Sequence, residues 1–330
     1  MAGGSNRRGF LKQLVRDVAR AASELDEALR GAADEPEESL GSPFPDAAAP
    51  EQVVLPARPT TRAATEEDVR RLCGELGLEP WAEAAVAAAQ ASLRLTPASV
   101  DTRSRLGGTA TPYPGFDWPT WEGEPLDLLL QVALDELPPS PLPATGTLLL
   151  FFATARAPDG ARPEHAGACR VAVVDGDPSP RGRPGALPEV PLAASGELTL
   201  PLEPVEAAPG PCDYAGWLEL RARLAELQGV VPADASPDYL ALHRLLGHPD
   251  SLAEPMDADA ALVTAGIDLG SPEVDRSQAR ADAPSWRLLA QLSADPGLGV
   301  AFGLYERLFV WIREADLRRG RFDRVRAFVR

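Results

Sequence analysis

The sequence predicts an α+β fold with mainly antiparallel sheets from two duplicated half-domains, flanking helices and an N-terminal helical extension. Three observations predict this class. From Val100 onward, short apolar runs alternate with turns rich in proline and glycine, which is typical of strands. Helical periodicity is confined to a few segments, without regular βαβ alternation. A set of short motifs also occurs twice in the same order, which indicates an internal duplication.

Residues 1–30 are predicted to form an amphipathic helix, because apolar residues recur at three- to four-residue spacing. Residues 1–20 carry five basic side chains and one acidic one. Three roles stay open: docking on a partner, lying on a membrane surface, or packing on the chain's own domain. Asn6–Lys12 imitates a twin-arginine export signal, but charged residues follow where an apolar region belongs, so export is not expected.

Residues 31–62 are rich in Ala, Pro and Glu and are predicted to be a disordered linker. An α+β domain is expected over residues 65–330. Thr65 and the acidic residues after it predict the start of a helix that reaches about Leu76. A second helix is predicted from Pro80 to Leu93, and a third over Asp213–Gln228. The predicted strands are Leu148–Phe152, Cys169–Val174, Glu197–Leu200, Trp286–Leu292, Arg307–Ile312 and Phe322–Val329.

The repeated pattern has four parts: Arg-Leu-x-Gly, an apolar strand that ends in Gln and an apolar residue, a loop, and an aromatic strand. In the first copy, Arg105 begins the pattern and Gln131 ends the apolar strand. In the second copy, Arg244 and Gln291 take these positions. Two copies in order favour a duplicated half-domain, in which each half lends strands to a shared core.

The same motifs resemble the YwqG-like family of bacterial proteins over about residues 65–330. The resemblance rests on Tyr113–Pro119, Leu128–Val132, His243–Pro249, Phe309–Ile312 and Arg321–Val325. It implies an α+β fold and a bacterial cytosolic context. Some members of that family are similar to, or encoded beside, immunity proteins of toxin systems. The resemblance therefore implies a binding role.

Composition excludes several classes of function. The chain has 330 residues and a net charge of −17, which disfavours binding to a phosphate backbone. No apolar run approaches the ~18 residues of a membrane span. Three widely spaced cysteines without a CxxC pair exclude a disulfide framework and a zinc knuckle, so a cytoplasmic location is expected.

No catalytic residue, metal site or cofactor is predicted. His243 and His248 are separated by a turn and are read as structural or solvent-exposed. A Cys–His pair of Cys169 with His165 is formally available, but Cys169 opens an apolar run in which a thiol acts as a small hydrophobic group. Neither a GxSxG elbow nor a phosphate-binding glycine loop is present.

Five residues are candidates for binding a ligand or partner: Arg105, Trp118, Gln131, Arg244 and Gln291. The glutamines are embedded in apolar strands, where they hydrogen-bond either a ligand or neighbouring backbone. Each arginine either clamps an anion or forms a structural ion pair. Trp118, with Phe116 and Trp121, is either an interface anchor or part of a satellite hydrophobic cluster.

Charge is distributed unevenly near the C-terminus. Residues 313–330 carry seven arginines and three acids, whereas residues 234–282 carry ten acids and three arginines. The arginines of the tail therefore bind either that acidic region or an external acidic partner.

Together these features predict a cytosolic binding protein of the YwqG-like type that does not act as an enzyme. An immunity-type or partner-sequestering role is expected, with an unidentified protein, such as a toxin, as the partner. The alternative is an enzyme or small-molecule binder with a pocket between the duplicated halves, lined by Arg105, Gln131, Arg244 and Gln291.

Overall fold

A ten-stranded antiparallel sheet organises the chain. The computed structural model describes residues 62–99, 102–108, 116–176, 187–204, 214–229, 243–250, 256–271, 274–279, 281–294, 302 and 307–330. The helix predicted over residues 1–30 and nearly all of the linker predicted over 31–62 lie outside these ranges. The strands are β1 (Gln90–Pro97), β2 (Arg105–Gly107), β3 (Thr120–Trp121), β4 (Glu124–Pro125), β5 (Asp127–Ala133), β6 (Thr147–Phe152), β7 (Cys169–Val174), β8 (Glu189–Thr199), β9 (His243–Leu246), β10 (Trp286–Ser293), β11 (Arg307–Arg313) and β12 (Arg326–Val329). The helices are α1 (Glu66–Glu75), α2 (Ala82–Ala88), α3 (Tyr214–Leu227), α4 (Met256–Thr264) and α5 (Glu314–Leu317).

The strand order is β12-β11-β10-β9-β1-β8-β2-β5-β6-β7, and every adjacent pair is antiparallel. Strands β3 and β4 form a separate small hairpin. One face of the large sheet forms a single apolar core, to which both edges contribute, for example Val171 of β7 and Val329 of β12. Because residues from the two edges meet in one core, the sheet curls into a nearly closed, barrel-like form. The predicted antiparallel α+β class is therefore confirmed.

Three satellite clusters cover the opposite face of the sheet. Helices α1, α2 and α3 pack together around Trp217. Helix α4 packs on Phe309 and Phe328, and the segment around the β3–β4 hairpin packs on Phe151. None of the helices in the described ranges has the length and apolar character needed to cross a membrane.

The start of α1 agrees with the prediction. The hydroxyl of Thr65 accepts a hydrogen bond from the backbone N–H of Asp68 at 3.3 Å, and the Asp68 carboxylate accepts one from the backbone N–H of Thr65 at 2.9 Å. This reciprocal pair is a capping box. The Arg62 guanidinium, 2.7 Å away, holds the pKa of the Asp68 carboxyl well below its usual range.

The helix predicted from Pro80 to Leu93 is wrong over its second half. A short 3-10 turn at Glu79–Trp81 leads into α2, which ends at Ala88, and Gln90 already begins β1. The alanine-rich segment favours helix, but from Ser92 onward polar and apolar residues alternate. Pairing with both β8 and β9 then makes β1 a central strand.

Two other strand predictions need correction. The strand predicted over Glu197–Leu200 is the end of β8, which begins eight residues earlier at Glu189. Its first part contains a proline and two alanines, residue types that are depleted in strands. The strand predicted over Phe322–Val329 begins only at Arg326, because Phe322–Arg324 form a 3-10 turn. The remaining predicted strands and the helix α3 are confirmed to within one residue.

The two copies of the repeated pattern have the same local geometry. Arg105 lies opposite Gln131 across β2 and β5, and Arg244 lies opposite Gln291 across β9 and β10. The register of β5 shifts between Leu128 and Leu130, and that of β10 shifts between Leu288 and Ala290. Each shift therefore lies in the three residues before the glutamine.

The turns after the two arginine strands also correspond. Gly107 and Gly108 have φ values of 57° and 83°, and Leu246 and Gly247 have values of 64° and 77°. A glycine fits at the second position of each turn, because a Cβ at Gly247 would lie 2.6 Å from the Cβ of Ser92. The strand order is also symmetric about the central pair β1 and β8. From one edge it runs β12-β11-β10-β9-β1, and from the other edge it runs β7-β6-β5-β2-β8.

Candidate functional site

Arg105 and Gln131 form a cross-strand pair in the first copy of the pattern. The Arg105 guanidinium lies 3.0 Å from the half-exposed carboxylate of Glu189. The amide nitrogen of the buried Gln131 donates to the backbone carbonyl of Arg103 at 3.2 Å, and its Oε1 has no hydrogen-bond partner among the described residues. Both side chains therefore make contacts within the sheet.

Arg244 and Gln291 form the corresponding pair in the second copy, and both are buried. Nε of Arg244 lies 3.1 Å from Oε1 of Glu197, although its N–H is not aligned for a hydrogen bond. Nη1 of Arg244 donates to the carbonyl of His248 at 3.1 Å, and Oε1 of Gln291 accepts from the N–H of Asp250 at 2.8 Å. These contacts favour the structural reading of both residues.

The four polar candidates are not brought to one point. Strands β8 and β1 lie between β2, which carries Arg105, and β9, which carries Arg244. Three strand spacings of about 4.8 Å each separate the two pairs, so they lie about 14 Å apart across the sheet. The structure therefore does not gather these residues around one pocket.

The face of the sheet that carries Arg244 holds a buried polar network beneath α2 and α3. The hydroxyl of Ser92 donates to the Glu197 carboxylate at 3.0 Å. The guanidinium of Arg94, directly across from Arg244 in the register, donates to the carbonyl of Gln228 at 2.6 Å. These bonds tie three central strands to the end of α3. The network stabilises the fold, and its Ser92, Arg94, Glu197 and Arg244 side chains are buried.

His248 connects this network to α2. Its Nε2 lies 2.7 Å from the carbonyl oxygen of Ala88. A carbonyl only accepts hydrogen bonds, so Nε2 carries the proton of the neutral ring. Burial lowers the pKa of His248 to about 4, with nearby arginines adding to the effect.

We expect the protein to lose stability between about pH 6.5 and pH 4. In this window the unfolded chain protonates His248 and the folded chain does not, so stability falls as the pH falls. The shift corresponds to about 3 kcal/mol of unfolding free energy. Urea denaturation of the wild type and of His248→Gln at several pH values checks this. The variant is expected to show the shallower dependence on pH, and equal slopes would contradict the assignment.

Trp118 belongs to a satellite hydrophobic cluster. Its indole N–H donates to the carbonyl of Leu126 at 2.8 Å, and its ring meets Phe151 edge-on at 5.0 Å between centroids. Phe116 stacks on the same Phe151 ring at 5.8 Å. Trp118 and Phe116 therefore cover the sheet. Trp121 packs on the same cluster, and its ring also meets His165.

A cleft lies at the seam, where the curled sheet brings its two edge strands β7 and β12 together. The segment around Gly160 forms one wall of the cleft. This segment is held against β12, because the carbonyl of Asp159 accepts a hydrogen bond from the N–H of Val329 at 3.2 Å. Val263 of α4 and the start of β12 form the other. The lining residues are Gly160, Arg162, His165, Ala166, Gly167, Cys169, Val263, Val325, Arg326 and Ala327.

An aromatic and basic group adjoins this cleft. His165, which lines it, meets the ring of Trp121 edge-on at 6.4 Å. The guanidinium of Arg156 lies over the Trp121 ring, 5.6 Å from its centre. It also bonds to Glu122, which belongs to the same β3–β4 hairpin as Trp121. We call the surface formed by Trp121, Arg156, His165, Arg170 and Arg326 the seam surface.

In the described part of the chain, two arginines of the seam surface have no acidic partner. Arg326 is half-buried, its Nη1 donates to the carbonyl of Val325 at 3.0 Å, and its Nε is buried with no hydrogen-bond partner in the described chain. Burial, and then the guanidinium groups of Arg313 and Arg170, lower the pKa of Arg326. Neither Arg326 nor Arg170 lies within 4.0 Å of a carboxylate among the described residues.

Other arginines of the C-terminal tail do bind the acidic region. Arg313 contacts Asp282 at 2.5 Å, and Arg330 lies 3.5 Å from the buried Asp259. The prediction that the arginine-rich tail binds the acidic region of the same chain is therefore confirmed for Arg313 and Arg330. Arg326 belongs to the same arginine-rich tail but faces the seam cleft.

The chemistry of the cleft is not that of a thiol nucleophile. His165 and Cys169 both line it, but burial raises the pKa of the Cys169 thiol to about 12. The thiol is therefore protonated at neutral pH and unreactive. In the described ranges, no group of three or more His, Cys, Asp or Glu side chains is placed to hold a metal ion.

Sequence reasoning missed most of the seam surface. The sequence indicated Trp121 as an interface candidate. It also showed Arg326 as one member of the arginine-rich tail. Arg170 looked like one polar residue in an apolar strand, and Arg156 was one loop residue among many. Trp121, Arg156, His165 and Arg170 all lie within residues 121–170, whereas Arg326 comes from the other edge of the sheet and joins them only through its closure.

The fold and this site define a class: an α+β protein with a strongly curled antiparallel sheet and a basic, aromatic surface where its edges meet. The chain belongs to the family described as Domain of unknown function (DUF1963), whose model matches residues 104–329. This match contains both copies of the repeated pattern and the seam surface. No curated protein matches the chain.

Proposed function

We propose that this chain is a non-catalytic binding protein of the immunity or partner-sequestering type, which holds a polypeptide partner through the seam surface. The observation that carries the proposal is the grouping of a half-buried Trp121 with Arg156 and His165 at the surface. Tryptophan and arginine contribute most of the binding energy at many protein interfaces. The aromatic ring supplies apolar area, and the guanidinium supplies directed hydrogen bonds.

The positions of the other candidates support a binding role over a pocket enzyme. Arg244 and Gln291 use their polar groups on Glu197, His248 and Asp250 inside the fold. Trp118 likewise bonds to backbone within its own cluster. Within the seam surface, Arg156 pairs with Glu122 and Trp121 packs on the cluster around Phe151, so a partner contacts the parts of these side chains that stay exposed.

A second candidate function is a small-molecule binder with a pocket between the two halves. The seam cleft lies at such a boundary, because Gly160–Cys169 come from the first half of the sheet and Val325–Ala327 from the second. Its volume of about 10 Å³ fits only a water-sized molecule, so this function requires the cleft to widen on binding. This pocket has different lining residues from the four that the sequence suggested. The high pKa of Cys169 favours binding over thiol chemistry there.

We also propose that the two halves arose by duplication. Support comes from the matching Arg–Gln cross-strand pairs, the register shifts at corresponding positions of β5 and β10, and the corresponding positive φ values. A duplicated unit of five strands accounts for all three features at once. The more specific YwqG-like placement rests on the motifs around Tyr113 and His243. A cytoplasmic location is supported by the buried free thiols of Cys73 and Cys169.

The proposal is tested by native mass spectrometry of the full chain gently purified from its own cells. We expect a bound polypeptide on the wild type and its loss from Trp121→Ala and Arg156→Ala. Tyr214→Ala is the matched control, because Tyr214 is an exposed aromatic residue (46%) on α3, away from the seam surface. Circular dichroism confirms that each variant is folded.

Each outcome decides the proposal. Retention of the polypeptide by Tyr214→Ala and its loss from both seam variants supports it. Bare wild-type protein, or equal retention by all variants, overturns it. A bound mass of a few hundred daltons in place of a polypeptide supports the second candidate.

A further inference from the structure

The two edge strands of the large sheet are covered to different extents. At β12, the outward N–H of Val329 donates to the carbonyl of Asp159 at 3.2 Å. A Cβ on Gly160 would overlap the carbonyl oxygen of Ala327, so this segment runs directly beside the strand. At β7, no described segment forms a backbone hydrogen bond with the outward side of the strand. In the described part of the chain, β7 is therefore the open edge of the sheet.

The register of β6 and β7 shows which backbone groups of β7 point outward. The N–H of Ala153 donates to the carbonyl of Ala168 at 2.9 Å, and hydrogen-bonded pairs alternate along an antiparallel ladder. The residues of β7 that bond to β6 are therefore Arg170, Ala172 and Val174. Val171 and Val173 direct their N–H and C=O groups away from the sheet. Among the described residues, these outward groups have no hydrogen-bond partner.

The open edge of β7 carries little protection against pairing with another chain. Natural sheets protect such edges with charged side chains, prolines, bulges or covering segments. β7 contains three valines and no proline, and Arg170 is its one charged residue. Cys169 lines the seam cleft together with Val325, so the open part of the strand lies beyond it, at Val171–Val174. This part has the composition of a strand that pairs on both sides.

The open edge adjoins the seam surface through Arg170. A Cβ on Gly167 would lie 3.3 Å from Nη2 of Arg170 and 3.5 Å from Cδ1 of Trp121, so both side chains lie against Gly167. The Arg170 side chain is exposed, and within the described ranges no carboxylate lies within 4.0 Å of it. The edge therefore carries a positive charge beside an aromatic ring.

We propose that the polypeptide partner adds an extended, antiparallel segment to the edge of β7, with an acidic side chain opposite Arg170. The outward N–H and C=O groups of Val171 and Val173 bond to the backbone of that segment. The residue opposite Arg170 forms a non-hydrogen-bonded pair with it, in which side chains lie closest, so an aspartate or glutamate there forms an ion pair. The inference rests on the proposed function, because it names how the partner of the seam surface is held.

A second copy of the chain fits this edge less well than an acidic segment of another protein. A twofold dimer pairs two β7 strands antiparallel, and outward-pointing residues pair with each other. Arg170 would then lie opposite Ala172, Val174 or another Arg170, so it would gain no ion pair within the paired strands. The net charge of −17 on each copy adds repulsion. Charge complementarity therefore favours an acidic strand from a different chain.

Hydrogen exchange tests strand addition on the complex purified gently from its own cells. We expect the amides of Val171 and Val173 to exchange at least about ten-fold more slowly in the complex than in the chain expressed alone. The buried amides of α3 serve as the internal control and are expected to exchange equally in both samples. Equal exchange of Val171 and Val173 in the two samples overturns the proposal.

Val173→Pro removes one outward N–H, and the bonds to β6 stay intact because this N–H takes no part in that ladder. Native mass spectrometry is expected to show loss of the polypeptide from this variant. Val173→Ala keeps the N–H and is the matched control, so it is expected to retain the polypeptide. Circular dichroism checks that both variants fold, and retention by a folded Val173→Pro overturns the proposal. If Val173→Pro does not fold, the exchange of the wild-type amides decides.

Arg170→Glu reverses the charge at the edge and is expected to lose the polypeptide, whereas Arg170→Lys keeps the charge and is expected to retain it. Retention by Arg170→Glu overturns the acidic side chain opposite this residue. If Trp121→Ala loses the polypeptide while Val173→Pro and Arg170→Glu keep it, strand addition is overturned and the proposed function stands. Bare wild-type protein overturns both. A complex of two copies of the chain with protected Val171 and Val173 amides overturns the proposal in favour of self-pairing.

Discussion

Replacing Glu197 by glutamine is expected to lower the free energy of unfolding by about 3–5 kcal/mol, the largest effect of any single polar substitution proposed for this protein. The carboxylate is buried and lies 3.1 Å from the buried Nε of Arg244. Glutamine keeps the shape and still accepts the Ser92 hydroxyl, but it leaves the Arg244 charge without its counter-ion. Urea denaturation at pH 7, followed by tryptophan fluorescence, measures the change.

Glu189→Gln is the matched control for this prediction. Glu189 pairs with Arg105, which has the corresponding position in the first copy of the pattern, but the Glu189 side chain is 46% exposed. Exposed ion pairs contribute about 0–1 kcal/mol, so little change is expected. Similar losses for the two variants would show that burial does not distinguish the pairs. The double variant Glu197→Met with Arg244→Met is expected to recover part of the lost stability, because it removes both members of this buried ion pair.

Replacing Gly160 by alanine is expected to destabilise the protein by about 3 kcal/mol and to open the seam. A Cβ at this position would lie 1.9 Å from the carbonyl oxygen of Ala327 and 2.9 Å from a ring carbon of Phe328. The φ value of 81° adds strain for any side chain. Because the backbone of β12 has to move, hydrogen exchange of the Val329 amide, which bonds to Asp159, is expected to accelerate.

Gly320→Ala separates the two causes. Gly320 has a φ of 65°, and a Cβ there would meet nothing within 4 Å. Conformational strain alone is expected to cost about 1 kcal/mol at that site, without faster exchange at Val329. If Gly160→Ala cost no more than Gly320→Ala, the close contact between the two edges of the sheet would not be needed for stability. The seam surface would then not depend on this closure.

The elements that the sequence predicted well are those whose local pattern agrees with their place in the fold. Leu148–Phe152 and Cys169–Val174 are apolar runs bounded by turn residues, and both become strands of the sheet. The two Arg–Gln pairs could be anticipated as equivalent positions, because the motifs around them recur. Their structural hydrogen bonds were one of the two readings that the residue types allowed.

The elements that it missed are those whose conformation depends on distant neighbours. Gln90–Leu93 continue an alanine-rich segment with high helix propensity, yet they form part of β1 because β8 and β9 supply hydrogen bonds on both sides. Arg326 begins a strand for a related reason, since β11 provides its pairing. Local propensity is a weak guide where pairing with other strands satisfies the backbone.

By itself, the sequence determined the antiparallel α+β class, most strand positions and the repeated Arg–Gln pattern, because these follow from short-range periodicity and recurrence. Only the tertiary structure decided which arginines have partners. Arg313 and Arg326 belong to one arginine-rich tail, but Arg313 binds Asp282 while Arg326 faces the seam cleft without a carboxylate in the described chain. That difference arises where the sheet closes and brings together residues more than 150 positions apart, such as Asp159 and Val329. Local sequence patterns do not predict that contact, because its two residues are far apart in the chain.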